Sequence, residues 1–296
     1  MSIPKNLWEQ FSGEKAFEEV ARQVAFGPRP SGSNALEKAR GHITETLKAN
    51  GWEVERQEFD ATPVPGRGGI HFVNIIARFS AKGTRPAQRD TQRAIVGSHY
   101  DTKRMDGMNF VGANDGGSST GALLELARVL AAAPALAERV ELVFFDGEEA
   151  IEHFGSAEEG PDGLVGSRHY ARALRDGGRA AQFRFAIVWD MIGDKDLTVT
   201  LPSDTPGTLA EPLFTAAKQL GVRKNFGYFR ERILDDHEPL VRIAHLRAMD
   251  IIDFEYTPWH SSGDTLDKLS AASIQTVGRV TLRLLAEELT SGGAPK

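Results

Sequence analysis

The sequence predicts a single doubly wound α/β domain, in which helices flank a central, mixed but mostly parallel sheet. Short apolar runs of strand length alternate with longer segments of helical periodicity along the chain. No linker-like stretch and no internal repeat interrupts this alternation. One run, Val140–Phe145, is almost continuously apolar, which is typical of a strand covered on both faces. We expect one domain over residues 1–296, with residues 1–13 as an N-terminal extension and residues 290–296 as a flexible tail.

The periodicities indicate each element in turn. Helices are expected where apolar residues recur every three or four positions, and strands where short apolar runs lie between turn residues. In chain order, the expected elements are helix 14–24, helix 34–50, strand 52–59, strand 71–79, strand 94–96, helix 118–130, strand 140–145, helix 164–174, strand 185–189, helix 209–220, helix 238–246, a strand at 251–252 and helix 270–289. The turn GPRPSGS, residues 27–33, separates the first two helices, and Gly51 ends the second. Polar connections are expected at residues 81–91 and 152–162.

The composition excludes several classes of function. A net charge of −6 and a pI near 5.8, without a basic cluster, argue against a nucleic-acid partner. The absence of cysteine excludes disulfides, thiol catalysis and zinc–thiolate sites, but it says little about compartment. No apolar run approaches membrane-spanning length, and residues 1–8 lack a signal-peptide core. We expect no membrane partner. The compartment stays unknown, because a removed leader would still allow periplasmic or secreted export.

Two adjacent carboxylates follow the strand at residues 140–145. Gly147 breaks the strand, and Glu148 and Glu149 then lie beyond its carboxyl end, where open α/β sheets place their chemistry. Because neighbouring carboxylates repel each other, such a pair indicates a nearby cation or a raised pKa. The alternative interpretation is a solvated acidic turn.

Further candidate metal donors follow other expected strands. His99, Asp190 and His260 come after three of them, and Asp115 lies within VGANDGGSSTG just before a helix. Oxygen and imidazole donors suit zinc where no thiolate is present. Each residue alone has an ordinary explanation, for example Asp115 as a helix N-cap. If the strands are neighbours, these side chains converge on one crevice.

The motifs around these residues resemble, in order, the metal-binding signatures of the M28 zinc aminopeptidase superfamily. They are HYD at residues 99–101, GANDGGSSTG around Asp115, FFDGEE ending at Glu149, WD ending at Asp190 and WH ending at His260. The turn GPRPSGS is similar to the N-terminal signature of that superfamily. Three features look closer to its glutaminyl cyclases than to its aminopeptidases: FDGEEA followed by GSRH at 166–169, DDHEP at 235–239, and PWH at 258–260. The likeness runs from about Gly27 onward and implies a zinc aminopeptidase-like fold.

The resemblance implies one catalytic zinc held by Asp115, Glu149 and His260. A fourth coordination position would stay open to substrate or water, as is usual for catalytic zinc. The general acid/base of the family falls on Glu148, directly before the ligand Glu149. Neighbouring charge and burial mean that an ordinary pKa cannot be assumed for Glu148.

The resemblance also implies further active-site residues. Asp190 and Asp235 correspond to additional catalytic carboxylates, and Trp259 corresponds to the tryptophan of the substrate pocket. Leu234 and Phe154 are expected to line the same pocket. Phe154 stands where the animal cyclases carry a tryptophan, so the aromatic wall is kept and the indole N–H is lost.

Together these roles imply a zinc-dependent glutaminyl-peptide cyclotransferase, an acyltransferase acting on peptides or proteins with N-terminal glutamine. The α-amine of the glutamine attacks its own side-chain carbonyl, which closes a lactam and releases ammonia. Because the reaction is intramolecular, holding the chain in the curled conformer removes much of the entropic barrier. Proton transfer by Glu148 would contribute about 10²–10⁴ in rate. We expect a monomer with one zinc per chain.

Two other functions stay open at this point. In a di-zinc aminopeptidase, His99 and Asp190 would bind the second metal, with Asp115 as the bridge, and the pair would activate water for peptide hydrolysis. Sequence alone does not count the metals, but DDHEP and PWH favour the cyclase. A catalytically silent, zinc-stabilised binding domain is the other alternative. The presence of both Glu148 and Glu149 argues against it, since holding a metal needs only one of them.

Overall fold

The computed structural model describes residues 3–80, 93–152 and 162–290. The strands are β1 (Trp52–Ala61), β2 (Ile70–Phe79), β3 (Arg93–His99), β4 (Val140–Phe145), β5 (Phe183–Asp190), β6 (Val199–Leu201), β7 (Phe226–Tyr228) and β8 (Ala248–Ile252). The helices are α1 (Gly13–Ala25), α2 (Asn34–Ala49), α3 (Gly117–Ala131), α4 (Pro134–Ala137), α5 (Val165–Asp176), α6 (Gly207–Gln219), α7 (His237–Arg242) and α8 (Ala271–Thr290). The expectations for Phe154, for residues 81–91 and for the tail beyond residue 290 lie outside the described residues.

Six strands form a central mixed sheet in the order β1-β2-β4-β3-β5-β8. Strand β2 is antiparallel to both β1 and β4, whereas β4, β3, β5 and β8 run parallel to one another. The prediction of a mixed, mostly parallel sheet is therefore confirmed. The four parallel strands end at the same edge of the sheet, since His99 pairs with Phe145 and Asp190 pairs with Ile252.

Helices cover both faces of this sheet, which explains the continuous apolar run of β4. Leu142 and Phe144 pack into one hydrophobic cluster with α1, α3 and α8. Val143 and Phe145 point to the opposite face and pack into a second cluster with α5 and α7. Successive side chains of a strand alternate between its faces, so a strand buried on both needs apolar residues throughout.

One charged residue interrupts the apolar run of β4. Glu141 is fully buried and accepts hydrogen bonds from Arg78 (2.6 Å), Arg179 (2.6 Å) and the Tyr170 hydroxyl (2.5 Å). Burial raises the pKa of Glu141, but the two arginines outweigh it, so that the pKa lies below its ordinary value. The carboxylate therefore stays charged in the interior because its partners satisfy it.

The N-terminal segment packs onto the body of the domain. Leu7 and Phe11 are fully buried in the same cluster as α1, α3 and α8. Phe11 fits closely against Gly278, where a Cβ would lie 2.2 Å from the phenyl ring. Of the helices in the described ranges, none is long and apolar enough to cross a membrane.

Some predicted bounds need correction, and two short strands were not predicted. The helix expected at 238–246 ends at Arg242, and His245 takes a positive φ of 57°. The strand expected at 94–96 extends over Arg93–His99. The strands β6 and β7 were not predicted, because three residues are too few to show a period of two.

Candidate active site

Three parallel strands deliver side chains to one place at the carboxyl edge of the sheet. His99 ends β3, Asp190 ends β5, and the segment after β4 carries the paired glutamates. The His99 Nε2 atom lies 3.2 Å from Asp190 Oδ1 and 3.2 Å from Asp115 Oδ1. Asp115 reaches this point from the loop before α3, and all three side chains are buried. The expected convergence on one crevice is therefore present in the fold.

Asp115 also belongs to a second group with Glu149 and His260. The His260 Nε2 atom lies 3.4 Å from Asp115 Oδ2 and 3.3 Å from Glu149 Oε2. One donor atom from each residue lies within 4.8 Å of the others, a spacing that one metal ion could bridge. Among the described residues, Asp115 Oδ2 and both Glu149 carboxylate oxygens are buried without a hydrogen-bond partner. Because such oxygens are costly to bury unpaired, this donor set fits a cation.

Asp101 positions both glutamates. Its Oδ1 accepts the backbone N–H of Glu148 at 3.2 Å, and its Oδ2 accepts that of Glu149 at 3.3 Å. The turn before them needs Gly147, which has φ +73° and where a Cβ would lie 2.5 Å from the Phe72 ring. The backbone after β4 is thereby fixed before its side chains reach the crevice.

Asp264 has the corresponding role for the loop that carries Asp115. Its carboxylate accepts the backbone N–H groups of Asn114 at 2.8 Å and Asp115 at 3.1 Å. The Tyr256 hydroxyl donates to the same carboxylate at 2.8 Å. Sequence reasoning found no role for Asp101 or Asp264, since a carboxylate bound to backbone leaves no local signal.

Burial sets the protonation of the paired glutamates. It raises the pKa of Glu148 well above its ordinary value; Glu149 and Asp235 add to the rise, and His99 opposes it. Burial raises the pKa of Glu149 to about 7, although the Lys103 ammonium, 3.5 Å from Glu149 Oε2, opposes the rise. Without a metal, Glu148 is therefore able to carry a proton at neutral pH. Lys103 was not recognised from the sequence.

A further carboxylate pair lies behind this region. Asp235, just before α7, and Asp250, in the middle of β8, have donor atoms within 4.8 Å of each other and of His237. All three side chains are buried, and burial raises the pKa of Asp190, Asp235 and Asp250, the last of them well above its ordinary value. Burial lowers the pKa of His237. Sequence reasoning missed Asp250, although a charge within the apolar run AMDII was a signal.

An open pocket with about 330 Å³ of empty space connects these groups to the surface. Its floor is formed by four carboxylates, those of Glu148, Glu149, Asp190 and Asp235. The rest of the lining consists of Asp115, Met191, Ile233, Leu234, Ile252, Phe254, Trp259 and His260. Trp259 is 40% exposed and Leu234 is 45% exposed at its mouth. The Trp259 ring stacks on the His260 ring with centroids 4.2 Å apart and contacts Phe254 at 5.3 Å. The structure thus places Trp259 and Leu234 in the lining of this pocket, and their role in binding substrate stays a prediction.

The chain is similar to known proteins over nearly its whole length. The model of Peptidase family M28 matches residues 74–285. Glutaminyl-peptide cyclotransferase of Drosophila melanogaster is 32% identical over 319 residues, covering 99% of this chain and 86% of that protein. Among solved structures, an Acidobacteriales bacterium glutaminyl cyclase is 31% identical with a TM-score of 0.83 and 96% of each chain covered. A leucine aminopeptidase precursor from Bacteroides thetaiotaomicron is 25% identical with a TM-score of 0.81, covering 97% of this chain and 99% of that one. The chain therefore belongs to peptidase family M28, among its glutaminyl cyclases.

Proposed function

We propose that this chain is a zinc-dependent glutaminyl-peptide cyclotransferase, which converts the N-terminal glutamine of peptides to pyroglutamate and releases ammonia. The observation that carries the proposal is a protonatable carboxyl group beside an unsatisfied donor set, inside a pocket open to the surface. Glu148 is that carboxyl group, and Asp115, Glu149 and His260 are the donors. The names of the relatives, cyclotransferases and glutaminyl cyclases, support the same activity.

Asp115, Glu149 and His260 are the residues that would hold the zinc. Two anionic oxygens and one imidazole nitrogen suit this ion, and three protein ligands leave one position free. A bound zinc supplies Lewis acidity toward the side-chain amide carbonyl of the substrate glutamine. The backbone hydrogen bonds accepted by Asp101 and Asp264 would keep Glu149 and Asp115 in register for this role.

Proton transfer falls to Glu148. Its carboxylate takes a proton from the α-amine as the new C–N bond forms, and returns one to the amide nitrogen as the old C–N bond breaks. The number of protons balances, so the residue ends the cycle in its starting state. A buried carboxyl with a raised pKa can serve in both steps near neutral pH.

The remaining pocket residues hold the substrate. Asp190 and Asp235 lie on the floor of the pocket and can accept hydrogen bonds from the α-amine of the substrate. Trp259 and Phe254 form an apolar wall beside them, which would pack against the flat amide side chain. Such a wall also keeps water from competing with the amine for the carbonyl.

One observation favours a second candidate, a di-zinc aminopeptidase. His99, Asp115 and Asp190 form another group whose donor atoms lie within 4.8 Å, next to the first and sharing Asp115. In that group, however, Asp190 Oδ1 already shares a hydrogen bond with His99 Nε2 at 3.2 Å, whereas among the described residues both oxygens of Glu149 in the first group have no hydrogen-bond partner. We therefore favour one zinc per chain.

A substrate comparison tests the proposal. The zinc-loaded protein is incubated separately with a glutamine-led dipeptide and with leucine amide. We expect pyroglutamate and ammonia in equal amounts from the first and no leucine from the second. Free leucine without lactam, together with two zincs per chain by elemental analysis, would establish the aminopeptidase instead.

A further inference from the structure

The turn GPRPSGS contains a fully buried arginine that the proposed mechanism does not use. Arg29 has 0% exposed area. Its Nη1 atom donates to the carbonyl oxygens of Gln23 (3.0 Å), Gly27 (3.1 Å) and Val111 (2.9 Å), and its Nη2 donates to that of Gly112 (3.3 Å). Within the described residues, all of these bonds end on backbone. The guanidinium therefore acts as a clamp between two stretches of main chain.

One of these stretches leads directly to the candidate metal centre. Val111 and Gly112 lie four and three residues before Asp115 in the connection between β3 and α3, and this part of the connection is folded tightly. Gly112 has φ +51°, and a Cβ at this position would lie 2.5 Å from the carbonyl oxygen of Asp115. A shift of Gly112 would therefore displace Asp115.

The backbone of Arg29 also contacts the start of the same connection between β3 and α3. Its N–H donates to Thr102 Oγ1 at 2.8 Å, and the Thr102 N–H donates to the Arg29 carbonyl at 3.1 Å. Thr102 directly follows Asp101, whose carboxylate accepts the N–H groups of both glutamates. One residue of the turn thus contacts this connection at two places, next to the Asp101 that positions Glu149 and next to the part that carries Asp115.

The charge of Arg29 is compensated at a distance. Burial lowers its pKa to about 10, while the charges of Asp101, Asp264 and Asp115 oppose the change. The guanidinium is therefore protonated at neutral pH. A buried cation bonded only to carbonyl oxygens is costly unless nearby negative charge stabilises it, and the carboxylates around the site provide that charge.

We propose that Arg29 is a positioning residue for the metal centre, whose guanidinium holds Val111 and Gly112 so that Asp115 faces Glu149 and His260 before a metal binds. The inference rests on the metal centre assigned above, but it adds a residue that touches neither metal nor substrate. A planar guanidinium reaches several carbonyls at once, whereas a lysine ammonium on a flexible stem does not reproduce this fork. Groups that orient metal ligands typically contribute about 10–100-fold to metal affinity.

Arg29→Lys separates geometry from charge, because it keeps the cation and loses the fork. We expect its zinc dissociation constant to rise at least about tenfold in competition with a chromophoric chelator, at a temperature where the variant is folded by circular dichroism. Arg29→Met loses the fork and also removes a positive charge that repels the metal. Tighter zinc binding than in the wild type would mean that only the charge matters, and this would contradict the positioning role. Arg40→Lys is the matched control. Arg40 is also buried, but its bonds go to side chains, those of Tyr100 (2.8 Å), Asp146 (2.9 Å) and Glu37, and not to backbone.

Hydrogen–deuterium exchange of the metal-free protein supplies a readout that depends on neither zinc nor turnover. We expect the peptide covering residues 111–117 to exchange at least about tenfold faster in Arg29→Lys than in the wild type or in Arg40→Lys. If the arginine variants fold poorly, Thr102→Val replaces them. It removes the acceptor for the Arg29 N–H and should speed the exchange of the same peptide. If Arg29→Lys has the same exchange rate and the same zinc affinity as the wild type, Arg29 does not position the metal centre. If the wild type itself binds no zinc, the proposed metal centre fails, while the exchange data still decide the role of Arg29.

Discussion

Glu149 Oε2 lies 3.3 Å from His260 Nε2, which joins the end of strand β4 to the loop that follows β8. The contact depends on the path of that second loop, because His260 takes a positive φ of 51° and lies eight positions beyond Ile252, where β8 ends. The loop is anchored at Asp264, which accepts the N–H groups of Asn114 and Asp115. Two of the three donors, Asp115 and His260, are therefore linked through the carboxylate of Asp264, whereas Asp101 holds the backbone of Glu149.

Asp264→Asn should weaken zinc binding. An amide offers one oxygen, so its NH₂ group would face a backbone N–H or the Tyr256 hydroxyl that now donates to the carboxylate. We expect the zinc dissociation constant to rise about 10–100-fold by chelator competition. Asp267→Asn is the control, since that side chain is 68% exposed. Equal zinc affinity in Asp264→Asn and the wild type would show that this anchor is dispensable.

Glu148→Gln should separate proton transfer from metal binding. The amide keeps the shape of the side chain but cannot accept the proton of the substrate amine. We expect kcat to fall about 10²–10⁴-fold, while elemental analysis still finds one zinc per chain. Glu149→Gln, one position later, should instead lose zinc. Full activity in Glu148→Gln would assign the acid/base role to another residue.

The sequence predicted individual elements better than their arrangement. The strand at residues 140–145 was predicted with its observed bounds, because burial on both faces leaves a run that is apolar except for Glu141. The convergence of His99 with Asp190 depended on β3 and β5 being neighbours, which local patterns only suggest. The charge of Asp250 within a five-residue apolar strand was a signal, but local sequence does not place Asp235, on another element, beside it.

The metal-free protein should lose stability as pH rises from about 5 to 8. Burial raises the folded-state pKa of Glu149 to about 7 and raises those of Glu148 and Asp250 well above their ordinary values, so the native state holds protons that the unfolded chain has released. The stability from these groups is present at low pH and is lost as pH rises through the folded pKa values. The lowered pKa values of His237 and His260 act in the opposite direction, but fewer groups contribute.

The measurement is thermal unfolding in chelator across that pH range. We expect Tm to fall by at least about 4 °C, since each kcal/mol shifts Tm by about 2–4 °C in a domain of roughly this size. Added zinc should raise Tm more at pH 8 than at pH 5, because metal ligands must be deprotonated. A metal-free Tm that rises steadily over this range would show that the buried carboxyls are charged in the native state.

Asp250→Asn should stabilise the metal-free protein at pH 8. Burial and the charge of Asp235 raise the pKa of Asp250 well above its ordinary value, which favours the protonated carboxyl group in the folded protein. Asparagine resembles that neutral form and can donate to Asp235 without releasing a proton. We expect a Tm increase of about 2–4 °C at pH 8 and little change at pH 5. Asp250→Leu is the control and should lower Tm at both pH values. A lower Tm in Asp250→Asn than in the wild type at pH 8 would contradict a neutral carboxyl group at Asp250.

Trp259→Ala should raise KM for a glutamine-led peptide about tenfold and change kcat less. The indole lines the mouth of the pocket, is 40% exposed and packs on Phe254, so its loss removes apolar contact with bound substrate. Trp259→Phe keeps most of that surface, so its KM should lie between those of the wild type and Trp259→Ala. Tyr228→Ala is the control, because Tyr228 is 51% exposed but packs on Phe214 instead. The indole also stacks on His260, so zinc content is measured in parallel. An unchanged KM in Trp259→Ala would show that the indole does not contact substrate. Loss of zinc would show instead that the indole supports His260.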